Sequence, residues 1–194
     1  MSKKIFIIFG HNRYKSGSSF NAAIRDTFIE EAKKKGHETD LVNVYDEKQI
    51  KFWDGGGPDE QILDYRKRLE QADIMMVMSP CHNYIMNSAT ENFIANVFTP
   101  PWAFKYKKVF RNYGFPIPNM LKGKTAIISM TYGGPSFFVS AIIQQIPRRI
   151  KKMVFSGLCG MKVKYLRFYE VLPDMPKEIF EKHMEKVRNT AQQL

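Results

Sequence analysis

The run Ile5-Phe-Ile-Ile-Phe9, closed by Gly10, constrains this chain more than any other stretch. It is too short and too rich in Ile and Phe for a helix, so it reads as a strand buried on both faces, as in a parallel sheet. A polar loop follows, and Ser18 or Ser19 then opens an amphipathic helix running to about Lys35. A strand that feeds a polar turn into a helix N-terminus makes a seat for an anion. The free backbone N–H groups and the helix dipole both favour negative charge there. The loop therefore reads as a phosphate cradle, beside the plainer reading of a βα loop whose serines only cap the helix.

The same alternation continues down the chain. Lys33-Lys-Lys-Gly36 is a helix stop, with cations in the last turn and glycine just past it. Glu38 to Asn43 reads as a second strand, Asp59 to Gln71 as a polar helix, and Ile74 to Met78 as a third buried strand ending at Ser79-Pro80. Asn87 to Phe98 is another helix, closed by Thr99-Pro-Pro101. Residues 102–122, aromatic and basic with Pro116 and Pro118, read as irregular, and a loop that long is usually functional or an interface. Lys124 to Met130 is a fourth strand with Thr131-Tyr-Gly-Gly-Pro135 as its turn. Ser136 to Phe155 reads as a helix bent or broken near Pro147, Val163 to Tyr169 as a fifth strand, and Lys177 to Gln193 as a closing helix. The 194 residues thus suit one domain, 1–194, built as an α/β open parallel five-stranded sheet with helices on both faces.

Charge and cysteine content narrow the function classes. Residues 1–100 hold 13 Lys and Arg against 14 Asp and Glu, whereas residues 101–194 hold 17 against 5. The whole net charge of +11 therefore sits in the second half, a surface suited to phosphate-bearing or acidic partners. No nucleic-acid module signature accompanies it, so no nucleic-acid partner is expected. Cys81 and Cys159 show no metal-type spacing, the four histidines are scattered, and no metal is expected. Two cysteines make no disulfide framework, so a reducing, cytoplasmic setting is the default. Met-Ser-Lys-Lys followed by apolar residues mimics a signal peptide, but Ile5 to Phe9 is too short for its apolar region. Cys81 reads more readily as space-filling than as a redox thiol, Met75-Met-Val-Met78 as adaptable core, and His37 and His183 as surface residues.

Ligands of open parallel sheets bind beyond the carboxyl ends of the strands. Three loops matter: His11–Asn21, Pro80–Met86 and Thr131–Phe138. The first fits neither GxGxxG nor GxxxxGK[ST]. Its length and hydroxyl content favour a flavodoxin-type plan, in which side chains and backbone together hold one phosphate.

With these loops assembled, the chain resembles the flavodoxin-like NAD(P)H:quinone oxidoreductases of the DT-diaphorase type over nearly its whole length. The likeness rests on Phe9-Gly-His11, Ser18-Ser-Phe-Asn21, Ala72-Asp73 leading to Pro80, Asn96-Val-Phe-Thr-Pro-Pro-Trp-Ala-Phe104, Leu121-Lys-Gly-Lys124, Thr131-Tyr-Gly-Gly134 and Gly157-Leu-Cys-Gly160. It implies that His11, Ser18, Ser19, Phe20 and Asn21 bind the phosphate and ribityl end of a flavin, with Arg13 and Lys15 adding charge. Pro80, Cys81, His82, Asn83 and Tyr84 would run along the flavin edge, and Thr131, Tyr132, Gly133 and Gly134 would close the other side. Trp102, Phe104 and Tyr106 match the aromatic segment that lines the family's substrate pocket across a homodimer interface. NAD(P)H is the implied co-substrate and a quinone or similar small electrophile the acceptor. FMN is preferred over FAD, which the family also uses, because nothing reads as an adenine site.

Two departures fall on the active site. Ser136-Phe-Phe-Val-Ser lacks the Tyr and His that the family carries after its paired glycines, and the loop after the third strand is Cys81-His-Asn-Tyr84 rather than aromatic. His82 is a candidate to replace the lost polar partner. Two alternatives stay open beside the enzyme: a flavin-binding ancillary subunit in peripheral contact with a membrane transport protein, and a flavodoxin-like electron carrier. Carriers of that kind are usually acidic, which the charge of +11 opposes.

Overall fold

A computed structural model of the chain describes residues 1–11, 19–83, 85–111, 113–139 and 150–194. The opening run forms β1 (Lys4–Phe9), and its side chains divide between two cores. Phe6 and Ile8 enter one cluster and Ile5, Ile7 and Phe9 the other, none more than 3% exposed. A strand buried on both faces is what such a pattern dictates. α1 (Phe20–Lys34) follows, and it stops where the sequence says. Gly36 takes φ 78°, its N–H donates to Lys33 O at 2.9 Å, and His37 N–H donates to Ala32 O at 3.0 Å, the paired bonds of a Schellman ending.

β2 (Glu38–Asn43) and α2 (Glu60–Gln71) come next, the helix capped by Asp59 Oδ1 accepting from Ile62 N–H at 2.9 Å. β3 (Ile74–His82) turns back antiparallel into the short β4 (Ile85–Met86), and α3 (Ser88–Val97) follows. β7 (Thr125–Thr131) and β8 (Lys162–Phe168) complete a parallel sheet of order β2-β1-β3-β7-β8, with α5 (Lys177–Gln192) closing the chain. One face carries α2, α3 and the segment before β8; the other carries α1 and α5. The strand order reverses between β1 and β3, which makes their carboxyl ends the place for a ligand. Met75 to Met78 are core, as expected. Among the described residues no helix is long and apolar enough to cross a membrane.

Three expectations need correction. Residues 102–122 are not irregular: β5 (Phe104–Phe110) and β6 (Tyr113–Pro118) form a separate antiparallel hairpin. Prolines argue against a strand only where both sides are paired, and β6 has one neighbour. The third strand does not stop at Met78 either. Its ladder to β1 ends there, so Pro80 pairs only with Thr131 on β7 and its missing N–H costs no bond on the other side. Of the helix expected over 136–155, the described residues are helical at both ends, as α4 (Ser136–Phe138) and as the π-helical Ile150–Leu158. Residues 140–149, with Ile142, Ile146 and Pro147, lie outside the described part. Finally, neither His37 nor His183 is a plain surface residue. His37 Nδ1 accepts from Lys3 N–H at 3.3 Å, and the His183 ring packs on Phe20 and Phe168 with Nε2 2.9 Å from Tyr169 O.

The strand ends are joined by one side chain. Asn87 Nδ2 donates to Gly10 O at the end of β1 and to Ser79 Oγ on β3 at 3.2 Å. Its Oδ1 accepts from Thr90 N–H and Thr90 Oγ1, each at 3.0 Å, which caps α3. Ser79, Asn87 and Thr90 are all buried. Gly10 is required by this packing, since a Cβ there would stand 1.7 Å from Thr90 Oγ1. Gly10→Ala is expected to lower stability by roughly 1–3 kcal/mol, read as a denaturation midpoint. The loss should be smaller in a Thr90→Ala background, because the two sites share one clash.

Candidate functional site

Three strand ends converge at the reversal point. At the first, His11 Nδ1 lies 3.4 Å from Ser19 Oγ. Ser19 sits at the N-cap position of α1 in extended conformation, yet its side chain makes no capping bond, whereas Asp59 and Asn87 cap their helices. No acidic side chain lies in the first turn of α1. The N-terminus of α1 thus keeps its attraction for an anion. Asn21 is buried, and its Oδ1 accepts from Thr131 Oγ1 at 3.3 Å, which ties the start of α1 to the end of β7. The Phe20 ring turns away, edge-on to Phe168 and Phe180, so this residue offers a ligand its backbone N–H. Arg13, Lys15 and Ser18 fall outside the described residues.

At the second end, Pro80 stands in register with Thr131, and Cys81 and Asn83 face a cleft of about 380 Å³. Asn83 adopts φ 48°, a conformation asparagine tolerates. The opposite wall is Tyr132, Gly133 and Gly134, with Phe138 and Val139 above them. His82 is not brought to this cleft: successive residues of a strand point to opposite faces, so with Cys81 facing in, His82 faces out and is exposed. Tyr84 lies outside the described residues.

The third end explains the wall. Tyr132 N–H donates to Phe168 O at 2.8 Å and Val171 N–H to Tyr132 O at 3.0 Å, so the turn is anchored to β8. The Tyr132 ring stacks on Tyr169 at 5.5 Å and its hydroxyl meets Met130 Sδ at 3.5 Å. Burial, with lesser help from Tyr165 and Cys81, pushes the Tyr132 phenol far above the ordinary tyrosine value and keeps it neutral. Burial likewise pushes the Cys159 thiol up to about 12, which leaves it an inert core residue. Neither Gly133 nor Gly134 has a positive φ, and a Cβ at Gly133 would meet nothing nearer than Leu172 at 3.7 Å. The fold does not need glycine at 133. What the glycine provides is bare backbone along one wall of the cleft, onto which a flat ring can lie closely.

The aromatic segment, expected to line a pocket across a homodimer interface, is seen here within a single chain. Trp102 Nε1 donates to Glu70 Oε1 at 2.5 Å, and Arg66 lies 5.2 Å over the Trp102 ring, so Trp102 packs on α2. Phe104 is buried, while Tyr106 stands exposed on the hairpin. None of the three borders the cleft within this chain. The residues that sequence reasoning missed are Asn87, Tyr169 and Val139. Asn87 was visible only as a helix start, and Tyr169 as a strand end beside the third loop.

The residues present fit a flavin: hydroxyl, amide and imidazole groups at a helix N-terminus, then a cleft with one bare-backbone wall. Comparison agrees at the level of fold. The family model Flavodoxin_2, described as a flavodoxin-like fold, matches residues 3–191, and the chain belongs to that family. No curated protein matches it. Among solved structures, Smu.1420 of Streptococcus mutans UA159 superposes with a TM-score of 0.82 at 22% identity, covering 98% of this chain and 100% of that one. An NAD(P)H:quinone oxidoreductase of Methanothermobacter marburgensis gives 0.80 at 15%, covering 99% and 96%. An FMN-dependent NADH-azoreductase of Bacillus anthracis, in complex with FMN, gives 0.74 at 16%, covering 100% and 99%.

Two outcomes follow from this geometry. Gly133→Ala should leave the melting temperature of the flavin-free protein unchanged or slightly higher, and weaken flavin binding about tenfold or more, measured by fluorescence titration. His183 gives a pH dependence. Burial, opposed by the Tyr169 carbonyl, holds its imidazole below the ordinary value. The unfolded chain therefore binds a proton that the folded chain refuses, between the depressed value and about 6.5. Stability falls as pH drops through about 6.5 and levels off below the depressed value. His183→Gln should flatten that part of the melting-temperature profile.

Proposed function

We propose that the chain is a flavin-dependent NAD(P)H oxidoreductase, with FMN as cofactor and a quinone or similar small electrophile as acceptor. The observation that carries this reading is the join between the α1 N-terminus and the cleft wall, made by Asn21 and Thr131. It sets a phosphate seat and a flat-ring seat side by side. The Methanothermobacter quinone oxidoreductase and the FMN-bound Bacillus azoreductase, both of this fold, support it. Bound flavin would supply hydride acceptance from NAD(P)H and donation to the acceptor.

The chain's own residues position and enclose. His11, Ser19, Phe20 N–H and Asn21, with Arg13, Lys15 and Ser18, hold the phosphate and ribityl end. Pro80 to Asn83, with Tyr84, offer backbone groups to the ring's polar edge, and Thr131 to Gly134 lie along its other side. The neutral Tyr132 phenol keeps that wall uncharged. His82, turned outward, is given no part in hydride transfer. The working unit is a homodimer in which Tyr106, exposed on the hairpin, reaches the neighbouring copy's cleft while Trp102 and Phe104 brace the hairpin base.

A visible absorption spectrum tests this directly. The purified protein, loaded with FMN where needed, should show flavin bands that bleach anaerobically on adding NADPH or NADH and return on adding a quinone. Bands that never bleach would turn the reading to a flavin-binding ancillary subunit. No flavin bound after incubation with FMN or FAD would overturn the site.

A further inference from the structure

Two segments flank the paired glycines and form the rim of the cleft. A Cβ on Gly134 would stand 3.4 Å from Val139 and 4.0 Å from Phe138, and one on Gly133 would stand 3.7 Å from Leu172. The Leu172 side is held by backbone: Val171 N–H donates to Tyr132 O at 3.0 Å and Glu170 N–H to Gly134 O at 3.2 Å. Large apolar side chains stay open to water on both segments. Phe137 is 73% exposed, Leu172 52% and Phe138 40%. No charged side chain lines the cleft among the described residues, and the Tyr132 hydroxyl is spent on Met130 Sδ. The only charged residues in the rim segments 133–138 and 170–175 are the exposed carboxylates Glu170 and Asp174. The mouth of the cleft is thus apolar and locally acidic, on a chain whose net charge is +11.

We propose, resting on the oxidoreductase reading above, that this rim selects the electron acceptor: an uncharged quinone carrying an apolar tail. Its ring enters the cleft and its tail lies across Leu172 and Phe138, removing their exposed area from water. A sulfonated or carboxylated acceptor is disfavoured. Its anionic group would give up hydration to apolar side chains and stand among the Glu170 and Asp174 carboxylates. A protein partner seated across the rim would close the cleft to the acceptor, whereas a tail covers the rim only while the acceptor is bound. The overall change is NAD(P)H, a proton and the quinone giving NAD(P)+ and the hydroquinone. The tail has no part in that balance and acts on binding alone.

The test compares benzoquinones with one and the same ring, bare or carrying an isoprenyl tail, and adds a naphthoquinone sulfonate. The FMN-loaded protein is titrated with each by flavin fluorescence, without NAD(P)H, and kcat/KM is then measured with NADPH or NADH. The tailed quinone should bind about tenfold more tightly than the bare one and gain a like factor in kcat/KM. The sulfonate should bind most weakly. Leu172→Ser, at a half-exposed position, should cut the preference for the tail about fivefold, and Leu172→Met should keep it. Both variants should match the wild type in flavin content and in reduction of ferricyanide, an acceptor with no tail to seat. The proposal is overturned if the tail makes no difference or the sulfonate is preferred. It is equally overturned if Leu172→Ser weakens bare and tailed quinones alike. A protein that binds FMN but reduces no acceptor, ferricyanide included, overturns the oxidoreductase reading itself, so the two failures are told apart.

Discussion

The Asn87 carboxamide is the interaction on which the site depends. It is buried, and it meets the last residue after β1, a hydroxyl on β3 and the first turn of α3 at once. Hydrogen bonds in a low-dielectric interior are strong, and an unpaired group there is costly, so the three segments hold one arrangement. That arrangement fixes where the first loop leaves the sheet and where the second begins. The distance between a phosphate seat and a ring seat is a property of these two departure points, and a side chain outside both loops sets it. Aspartate would keep the cap on α3 but lose the donors to Gly10 O and Ser79 Oγ.

The third loop is built by stacking rather than by a polar knot. Tyr132 lies on Tyr169, and its backbone is bonded to Phe168 and Val171, which anchors the turn leading into Gly133. Above it, Phe138 and Val139 stand in the segment where the sequence departs from the family's Tyr and His. The described cleft wall therefore carries a buried neutral phenol and apolar groups, with no imidazole. In the proposed flavin chemistry such a wall would position a ring rather than relay a proton.

The parts legible in the sequence were those where one local rule had no rival. Ile5 to Phe9 permitted only a doubly buried strand, and Lys33-Lys-Lys-Gly36 permitted only a helix end. The hairpin was hidden because Pro116 and Pro118 normally exclude strands, a rule that fails on a strand with one neighbour. Trp102 was hidden for another reason. An aromatic can be core or interface with the same spacing, and only the structure shows Trp102 half-buried, bonded to Glu70 and stacked under Arg66. His183 was misread because a histidine in a polar helix looks solvated until Phe20 and Phe168 are seen closing over it.

The charge asymmetry divides in the same way once structure is added. Some of the basic second half is consumed internally: Lys124 Nζ donates to Glu70 O at 2.9 Å and Ala72 O at 2.6 Å, a cation placed on the exposed carbonyls ending α2. Lys186 does likewise for Arg167 O at 2.8 Å. Such lysines are held by bonds to the fold's own carbonyls. The hairpin lysines and Arg111 have no such carbonyl or carboxylate among the described residues. At a Debye length of about 8 Å, only charges that reach contact contribute much to a fixed complex. The net charge of +11 is therefore a poor guide by itself. What distinguishes one cation from another is whether the fold seats it on a backbone carbonyl, as it does Lys124 and Lys186.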